Sequence, residues 1–212
     1  MEDVLDIYEM AYNPALPVVC MDEKPYQLLG EIREPLPMRP GDTPKTDFEY
    51  IRNGTCSIFV FNEPLGGVRH VSVRERRTAV DWAEEIKYLV DVSYPECSRI
   101  ILVMDNLNTH AIASLYKAYP AEEARRIARK LEIHFTPKHG SWLNMAEIEL
   151  NVMTRQCLSR RIPDIDKLRQ ELAAWEVTRN QNAECINWQF TTKDARTKLV
   201  SLYPKFDIPI PE

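Results

Sequence analysis

A mixed α/β domain on a five-stranded sheet is the fold class this 212-residue sequence predicts, on three observations. The first third holds β-rich segments spaced closely enough for an antiparallel meander. Ile100 to Met104 is an apolar run with no alternation, the pattern of a strand buried on both faces, as in a parallel sheet. From Thr78 onward, most other apolar residues recur at helical spacing.

The elements follow in order. Val18 to Met21, after the breaker Pro17, reads as a short buried strand ending at Asp22, and Leu28 to Arg33 continues the pairing. Pro35, Pro37, Pro40, Gly41 and Pro44 exclude regular structure from Glu34 to Lys45, leaving an extended loop that serves as a substrate-contacting arm or a surface strap. Phe48 to Arg52 then leads through Asn53-Gly54 into Thr55 to Phe61, which reads as a hairpin. Val68 to Val73 alternates as a half-exposed strand should.

A helix is expected from Thr78, its N-cap, with Asp81 in the first turn and Val80, Ala83, Ile86, Leu89 and Val90 along one face, closed by Pro95. Asp105 ends the buried strand Ile100 to Met104, at the edge where open α/β sheets carry their chemistry. Helices over Ala111 to Tyr119 and Ala121 to Lys130 are separated by Pro120, and Leu131 to Phe135 is a further strand. A loop from Pro137 to Trp142 leads into a helix from about Leu143 to Arg160, with Leu143, Ala146, Leu150 and Met153 on one face. Glu147 falls on that stripe and is expected to face the body of the protein, where an unpaired charge is costly and a cation would neutralise it. Pro163 opens another helix with Ile165, Leu168, Leu172 and Trp175 inward, and a last short helix spans roughly Lys193 to Leu202.

Composition excludes several classes. With 44% hydrophobic and 28% charged residues the chain is an ordinary globular one, and no apolar run is long enough to span a bilayer. The acidic start Met1-Glu2-Asp3-Val4 is unlike a signal peptide, so a cytoplasmic protein is expected. Cys20, Cys56, Cys97, Cys157 and Cys185 are odd in number and lack any Cys-x-x-Cys pair, which suggests neither disulfides nor zinc. A net charge of −5 argues against bulk electrostatic grip on nucleic acid. Local basic clusters at Arg69 to Arg77, at Arg125 to Lys130 and at Arg155, Arg160 and Arg161 could supply patches, or could each be a solvated face.

Asp22, Asp105 and Glu147 are the candidate site. Two carboxylates at the ends of apolar strands, joined by a third from a helix, make a hard oxygen cage suited to Mg²⁺ or Mn²⁺. Glu23, by strand alternation, points the other way and is a salt-bridge partner, and Glu149, about 200° around the helix from Glu147, is a poor ligand. Lys24, Lys138 and His139 border the acids as phosphate contacts or solvated cations, with Asn108 a further candidate DNA contact. Asn106, Asn108 and His110 are expected to orient the loop after Asp105. His134 is structural, and Trp142 caps the core under the helix of Glu147 in preference to stacking on an unpaired base.

The order strand, strand, strand, helix, strand, helices, strand, helix is what an RNase H-like fold needs. The contexts Asp22-Glu23-Lys24, Asp105-Asn106-x-x-x-His110 and Pro137-Lys138-His139-Gly140-Ser141-Trp142-Leu143-Asn144-Met145-Ala146-Glu147 resemble the DDE transposases of the mariner superfamily, in the bacterial insertion-sequence branch numbered six-thirty. The similarity runs from about Tyr12 to Tyr203 and includes Tyr26 to Glu31 and Trp188 to Thr192. It implies an RNase H-like catalytic domain over 18–203, after a short lead-in at 1–17 and before an irregular tail at 204–212. It further implies cleavage at transposon ends and strand transfer into target DNA. Asp22, Asp105 and Glu147 would be the catalytic acids, holding two Mg²⁺ or Mn²⁺ ions when double-stranded DNA is bound. A homodimer, no organic cofactor and a nucleoid-associated site of action follow from the same resemblance. Relatives carry an N-terminal helix-turn-helix region, and with so little chain before Asp22 a catalytic domain alone is expected. Two other readings stay open: a remnant or domesticated domain that binds DNA or a sister subunit without catalysis, and a nuclease acting on RNA–DNA hybrids.

Overall fold

Strand order β3-β2-β1-β4-β5 organises the molecule, and the computed structural model describes residues 1–33, 39–41 and 47–203 of it. The strands are β1 (Val18–Glu31), β2 (Tyr50–Glu63), β3 (Val68–Arg74), β4 (Ile100–Met104) and β5 (Leu131–Phe135). The first three pair antiparallel, while β4 runs parallel to both β1 and β5. This is the RNase H-like sheet that the element order predicts. The expected Pro-rich loop from Glu34 to Lys45 and the irregular tail lie largely or wholly outside the described residues.

Side-chain alternation divides the core between the two faces of the sheet. Val19 and Met21 of β1, Phe59 and Phe61 of β2 and Ile100, Leu102 and Met104 of β4 pack under α2 (Ala79–Tyr88), α3 (Ile112–Ala118) and α4 (Ala121–Arg129). The opposite face receives α1 (Glu2–Tyr8), α5 (Ala146–Gln156), α6 (Ile165–Gln181) and α7 (Thr192–Lys198). There Ile58 and Val60 meet Leu168, Leu172 and Trp175, and Cys20, Ile101 and Val103 meet Val4, Leu5 and Ala146. Each such fully buried aliphatic side chain stabilises the fold by about 1.5–3 kcal/mol relative to exposure.

Helix ends follow local chemistry. Thr78 caps α2 in a reciprocal capping box with Asp81, as expected, and Thr191 and Asp194 repeat the device at α7. Val80 is 42% exposed, however, and fully buried Trp82 takes the inward position in the first turn of α2. The helix then loosens into a π-helical turn at Leu89–Ser93 before Pro95. Helix α5 is shorter than its apolar spacing suggests, because Ser141–Leu143 forms a separate 3₁₀ turn ahead of it.

Two strand assignments are corrected. β1 does not break after Asp22: it runs on through Pro25, which it tolerates because the edge facing β4 has no strand partner beyond Met21. Asn53-Gly54 is not a hairpin turn. β2 passes straight through it, and the register against β1 shifts between Gln27 and Leu29, where Thr55 and Arg52 are the respective partners. The extra residue is a bulge, with Gly54 at φ +99°, the Gln27 side chain donating to the Gly54 carbonyl and Asn53 Nδ2 donating to the Pro163 carbonyl at 2.8 Å. The meander turns instead at Pro64 to Gly67, between β2 and β3.

Gly67 and Gly54 make a controlled comparison, since both have positive φ but only Gly67 is crowded: a Cβ there would lie 2.7 Å from the Ala183 carbonyl oxygen. Gly54→Ala is expected to destabilise by about 1 kcal/mol, and Gly67→Ala by about 2 kcal/mol or more, in chemical denaturation. Equal losses would show that the contact with Ala183 is unimportant.

Candidate active site

The parallel register sets the site. Met21 of β1 is the last partner of Met104 of β4, so Asp22 and Asp105 follow side by side where the pairing stops. β4 ends there, while β1 continues, and a cleft of about 480 Å³ opens at the notch. Asp22, Asp105 and Glu147 all line it, together with Lys24, Arg77, Asn151 and Thr154.

Each aspartate is oriented through one oxygen. Asp22 Oδ1 accepts the Glu23 backbone N–H at 2.8 Å, and Asp105 Oδ1 accepts the hydroxyl of buried Thr136 at 2.6 Å. The second oxygen of each accepts no hydrogen bond among the described residues. Glu147, near the start of α5, is exposed, and its side chain has no hydrogen bond or ion pair among the described residues. Burial, together with the negative charges of Asp105, Glu147 and Glu23, pushes the Asp22 carboxyl up to about 7, against the Glu23 N–H that favours its ionised form. The neighbouring cations do not relieve it: Lys24 Nζ donates to Thr154 at 3.0 Å and Arg77 pairs with Glu23 at 3.2 Å.

Crowded negative charge with unengaged oxygens suits a hard divalent cation. As they stand, though, no group of three His, Cys, Asp or Glu side chains among the described residues is gathered closely enough to hold one. The two aspartates have fixed anchors, and Glu147 is the loose member.

A layer of buried polar groups sets the backbone around the acids. Asn144, 1% exposed, donates to the Met21 carbonyl at 2.8 Å and accepts the Ala146 N–H at 3.2 Å, so one side chain joins the residue before Asp22 to the start of Glu147's helix. Tyr8 of α1 donates to the Leu143 carbonyl at 2.7 Å. His110 Nδ1 lies 3.0 Å from the Asp105 carbonyl, while its buried Nε2 makes no hydrogen bond among the described residues and lies 3.5 Å from Glu23, which itself pairs with Arg77. Sequence reading passed over Asn144, Thr136 and Tyr8. Only the position of Asn144 just before a helix start could have flagged it.

Other expectations change. Glu147 does not face the body of the protein, because Leu143 lies outside α5; on the true helix Glu147 is about 60–120° from Leu150 and Met153, and Glu149 lies closer to Met153. Glu149 is the buried carboxylate, at 0% exposure, where Arg69 and Arg179 outweigh the upward push of burial and hold it below the usual carboxylate range. Lys138, His139 and Asn106 line an adjoining groove of about 470 Å³ that shares Asp105, Leu107 and Ser141 with the cleft. Asn108 is exposed and lines neither, and neither Asn106 nor Asn108 makes a side-chain hydrogen bond among the described residues; of the three, His110 bonds the loop, and buried Ser114 also donates to the Thr109 carbonyl at 2.8 Å. Trp142 does not cap the core: it is 44% exposed, stacks on Trp188 at 6.5 Å and meets Phe190 edge-to-face at 5.8 Å. His134 is structural, between Asp3 and Glu132.

Several members of the basic clusters have acidic partners, while Arg76, Arg125, Arg129 and Arg155 are exposed and make no ion pair among the described residues. Arg69 is buried against Glu149, Arg74 meets Glu84 and Glu85, Arg126 meets Asp91 and Glu123, Arg160 meets Glu171, and Arg161 meets Glu31. All five cysteines are free, with Cys20, Cys56 and Cys157 buried.

Comparison with known proteins gives a family and a fold. Residues 17–169, which include all three acids, match the family described as DDE superfamily endonuclease. No curated protein sequence matches the chain. The Mos1 mariner paired-end complex with Mn superposes with a TM-score of 0.57 at 16% identity, covering 86% of this chain and 54% of that one. The Mos1 strand transfer complex gives 0.57 at 15% identity, covering 86% and 53%. The catalytic domain of Mos1 mariner transposase gives 0.55 at 13% identity, covering 86% and 82%. This chain thus spans little more than half of the Mos1 chains in the two complexes, and at these identities the likeness establishes the RNase H-like fold.

The Asp22 carboxyl provides a test of the crowding. Its pKa is near 3.8 when unfolded and about 7 when folded, so its stabilising share is complete below pH 3.8 and is lost as pH rises through 7. Ionised Asp22 therefore costs up to about 4 kcal/mol above pH 7 without a cation. Asp22→Asn is expected to raise the melting temperature at pH 8 in chelator, with the gain disappearing near pH 4; a gain independent of pH would show that crowding is not its origin.

Proposed function

This chain belongs to the DDE superfamily endonuclease family, and from that premise we propose that it is the metal-dependent DNA-cutting and strand-transfer domain of a mariner-superfamily transposase, of the bacterial insertion-sequence branch numbered six-thirty. The observation that carries the reading is the meeting of Asp22, Asp105 and Glu147, from two strands and a helix, in one cleft where burial and mutual repulsion raise the Asp22 carboxyl.

On this reading the three carboxylates would hold Mg²⁺ or Mn²⁺. The ions supply activation of a water or terminal hydroxyl and stabilisation of the leaving 3′-oxygen. The chain's own residues do the rest. Thr136 and the Glu23 N–H hold the two aspartates so that an oxygen of each is available, and Asn144 keeps β1 and α5 in step. Lys24 in the cleft and Lys138 and His139 in the adjoining groove lie where a DNA strand passing Asp105 would present phosphates. Asn108 would contact DNA only from outside both grooves.

The proposed substrate is double-stranded DNA, as transposon ends and target, acted on by a homodimer without an organic cofactor. The Mos1 structures of similar fold are a paired-end complex with Mn and a strand transfer complex. No helix among the described residues is long and apolar enough to cross a membrane, and the proposed place of action is the cytoplasm, at the nucleoid. A second reading, a non-catalytic DNA-binding or oligomerisation domain, draws support from the unclosed position of Glu147.

Nicking of a terminal-repeat duplex with Mn²⁺ distinguishes the two. Activity is expected in the parent chain, background in Asp105→Ala, and Mn²⁺ binding about ten- to hundredfold weaker in Thr136→Val, which removes only the orienting hydroxyl. Nicking that survives Asp105→Ala would defeat the catalytic reading, and absence of both nicking and Mn²⁺ binding with DNA present would favour the second.

A further inference from the structure

Across α5 from the cleft lies a buried ion cluster. Glu149 Oε1 is 2.9 Å from Nη2 of fully buried Arg69 and 3.1 Å from Nη2 of Arg179, whose Nε reaches Oε2 at 3.3 Å. Arg69 is fixed in turn: Nη1 donates to the Gly67 carbonyl at 2.6 Å, and Nη2 also donates to the Glu184 carbonyl. The Asn180 side chain holds the Arg69 backbone at both N–H and C=O, each at 2.8 Å. The turn before β3, β3 itself, the end of α6 and the segment after it thus converge on one carboxylate of α5.

Such a cluster is a poor device for stability, since desolvating the ions costs several kcal/mol each and apolar packing would serve as well. Its distinctive property is direction. A carboxylate gripped by two planar guanidiniums accepts a narrow range of rotation and height. Glu147 and Glu149 are two residues apart and therefore about 200° apart around the helix, so fixing one determines where the other points. Buried Leu150 and Met153 and the bonds from Trp175 to Gln156 and from Lys24 to Thr154 also hold α5, but the Glu149 cluster is the charged grip within its first turn, where the helix lacks a side-chain N-cap.

We propose that Arg69, Glu149 and Arg179 are positioning residues that set the rotation of α5 about its axis and so present Glu147 to Asp22 and Asp105. The inference rests on the reading of the three acids as the metal-holding site. The cluster acts through Glu147 and touches neither ion nor DNA.

The test removes the cluster without stranding a lone buried charge, as Arg69→Met/Glu149→Leu/Arg179→Met, with folding verified by circular dichroism and melting; Glu149→Asp, which keeps the charge but shortens its reach, takes its place if the triple variant does not fold. Mn²⁺ binding with a DNA duplex present, followed by electron paramagnetic resonance, is expected to weaken about ten- to hundredfold. The same change in a Glu147→Ala background should add little, because nothing is left to aim. Undiminished affinity in the folded variant, or a full further loss on top of Glu147→Ala, overturns the proposal. A metal-free readout separates it from the functional reading: Asp22→Cys/Glu147→Cys is treated with a short thiol cross-linker and the product located by mass spectrometry. Removing the cluster should cut the cross-linked yield severalfold, and an unchanged yield overturns the proposal. If the parent chain binds no Mn²⁺ even with DNA, the functional reading fails while the cross-linking still decides whether the cluster aims position 147.

Discussion

The structure depends on where one parallel strand pair stops. β1 is the central strand, bonded to β2 along its length but to β4 only from Val18 to Met21. Up to that point side chains alternate into two dry cores, and just past it two carboxylates emerge beside each other with water on one side. A shift of one residue in this register would turn Asp22 toward the α2 face and away from Glu147. Hydrophobic alternation in Val19, Cys20 and Met21 against Leu102, Val103 and Met104 therefore specifies the chemistry as well as the core.

Around that notch, buried polar contacts perform the fine alignment. Asn144 joins β1 to α5, Thr136 steadies Asp105, and His110 with Glu23 supports the loop beneath. The N-terminal helix contributes from a distance, because Tyr8 holds the turn ahead of α5 while Glu2 and Asp6 bond Arg196 and Thr192 of α7. Elements far apart in the chain thus brace the same short loop.

Much of the fold was legible because periodicity reports burial directly. Ile100 to Met104 and the stripe Leu168, Leu172 and Trp175 could be read without ambiguity, and both are buried as expected. Local chemistry misled where tertiary pairing overruled it. Asn53-Gly54 has the composition of a tight turn but sits in a strand held along its whole length by β1, so the left-handed glycine became a bulge. The apolar run stops at Asp22, yet the strand continues through Pro25 for the same reason. At the site, the three acids stood out through their contexts. The inverted environments of Glu147 and Glu149 did not, since they turn on where α5 begins and on arginines distant in sequence. Nor could the basic clusters be told from a DNA-facing surface until their acidic partners were located.

Those internal pairings carry a consequence for association with a polyanion. Arginines already neutralised by neighbouring glutamates and aspartates release fewer counterions when DNA arrives, which leaves that part to exposed cations such as Arg125, Arg129 and Arg155. The affinity of such a surface should decline less steeply with ionic strength than its arginine content suggests, with attraction resting on Lys24 and Lys138 near the notch and on the few unpaired arginines, and capture from solution would lean on shape and on whatever cations the acids recruit.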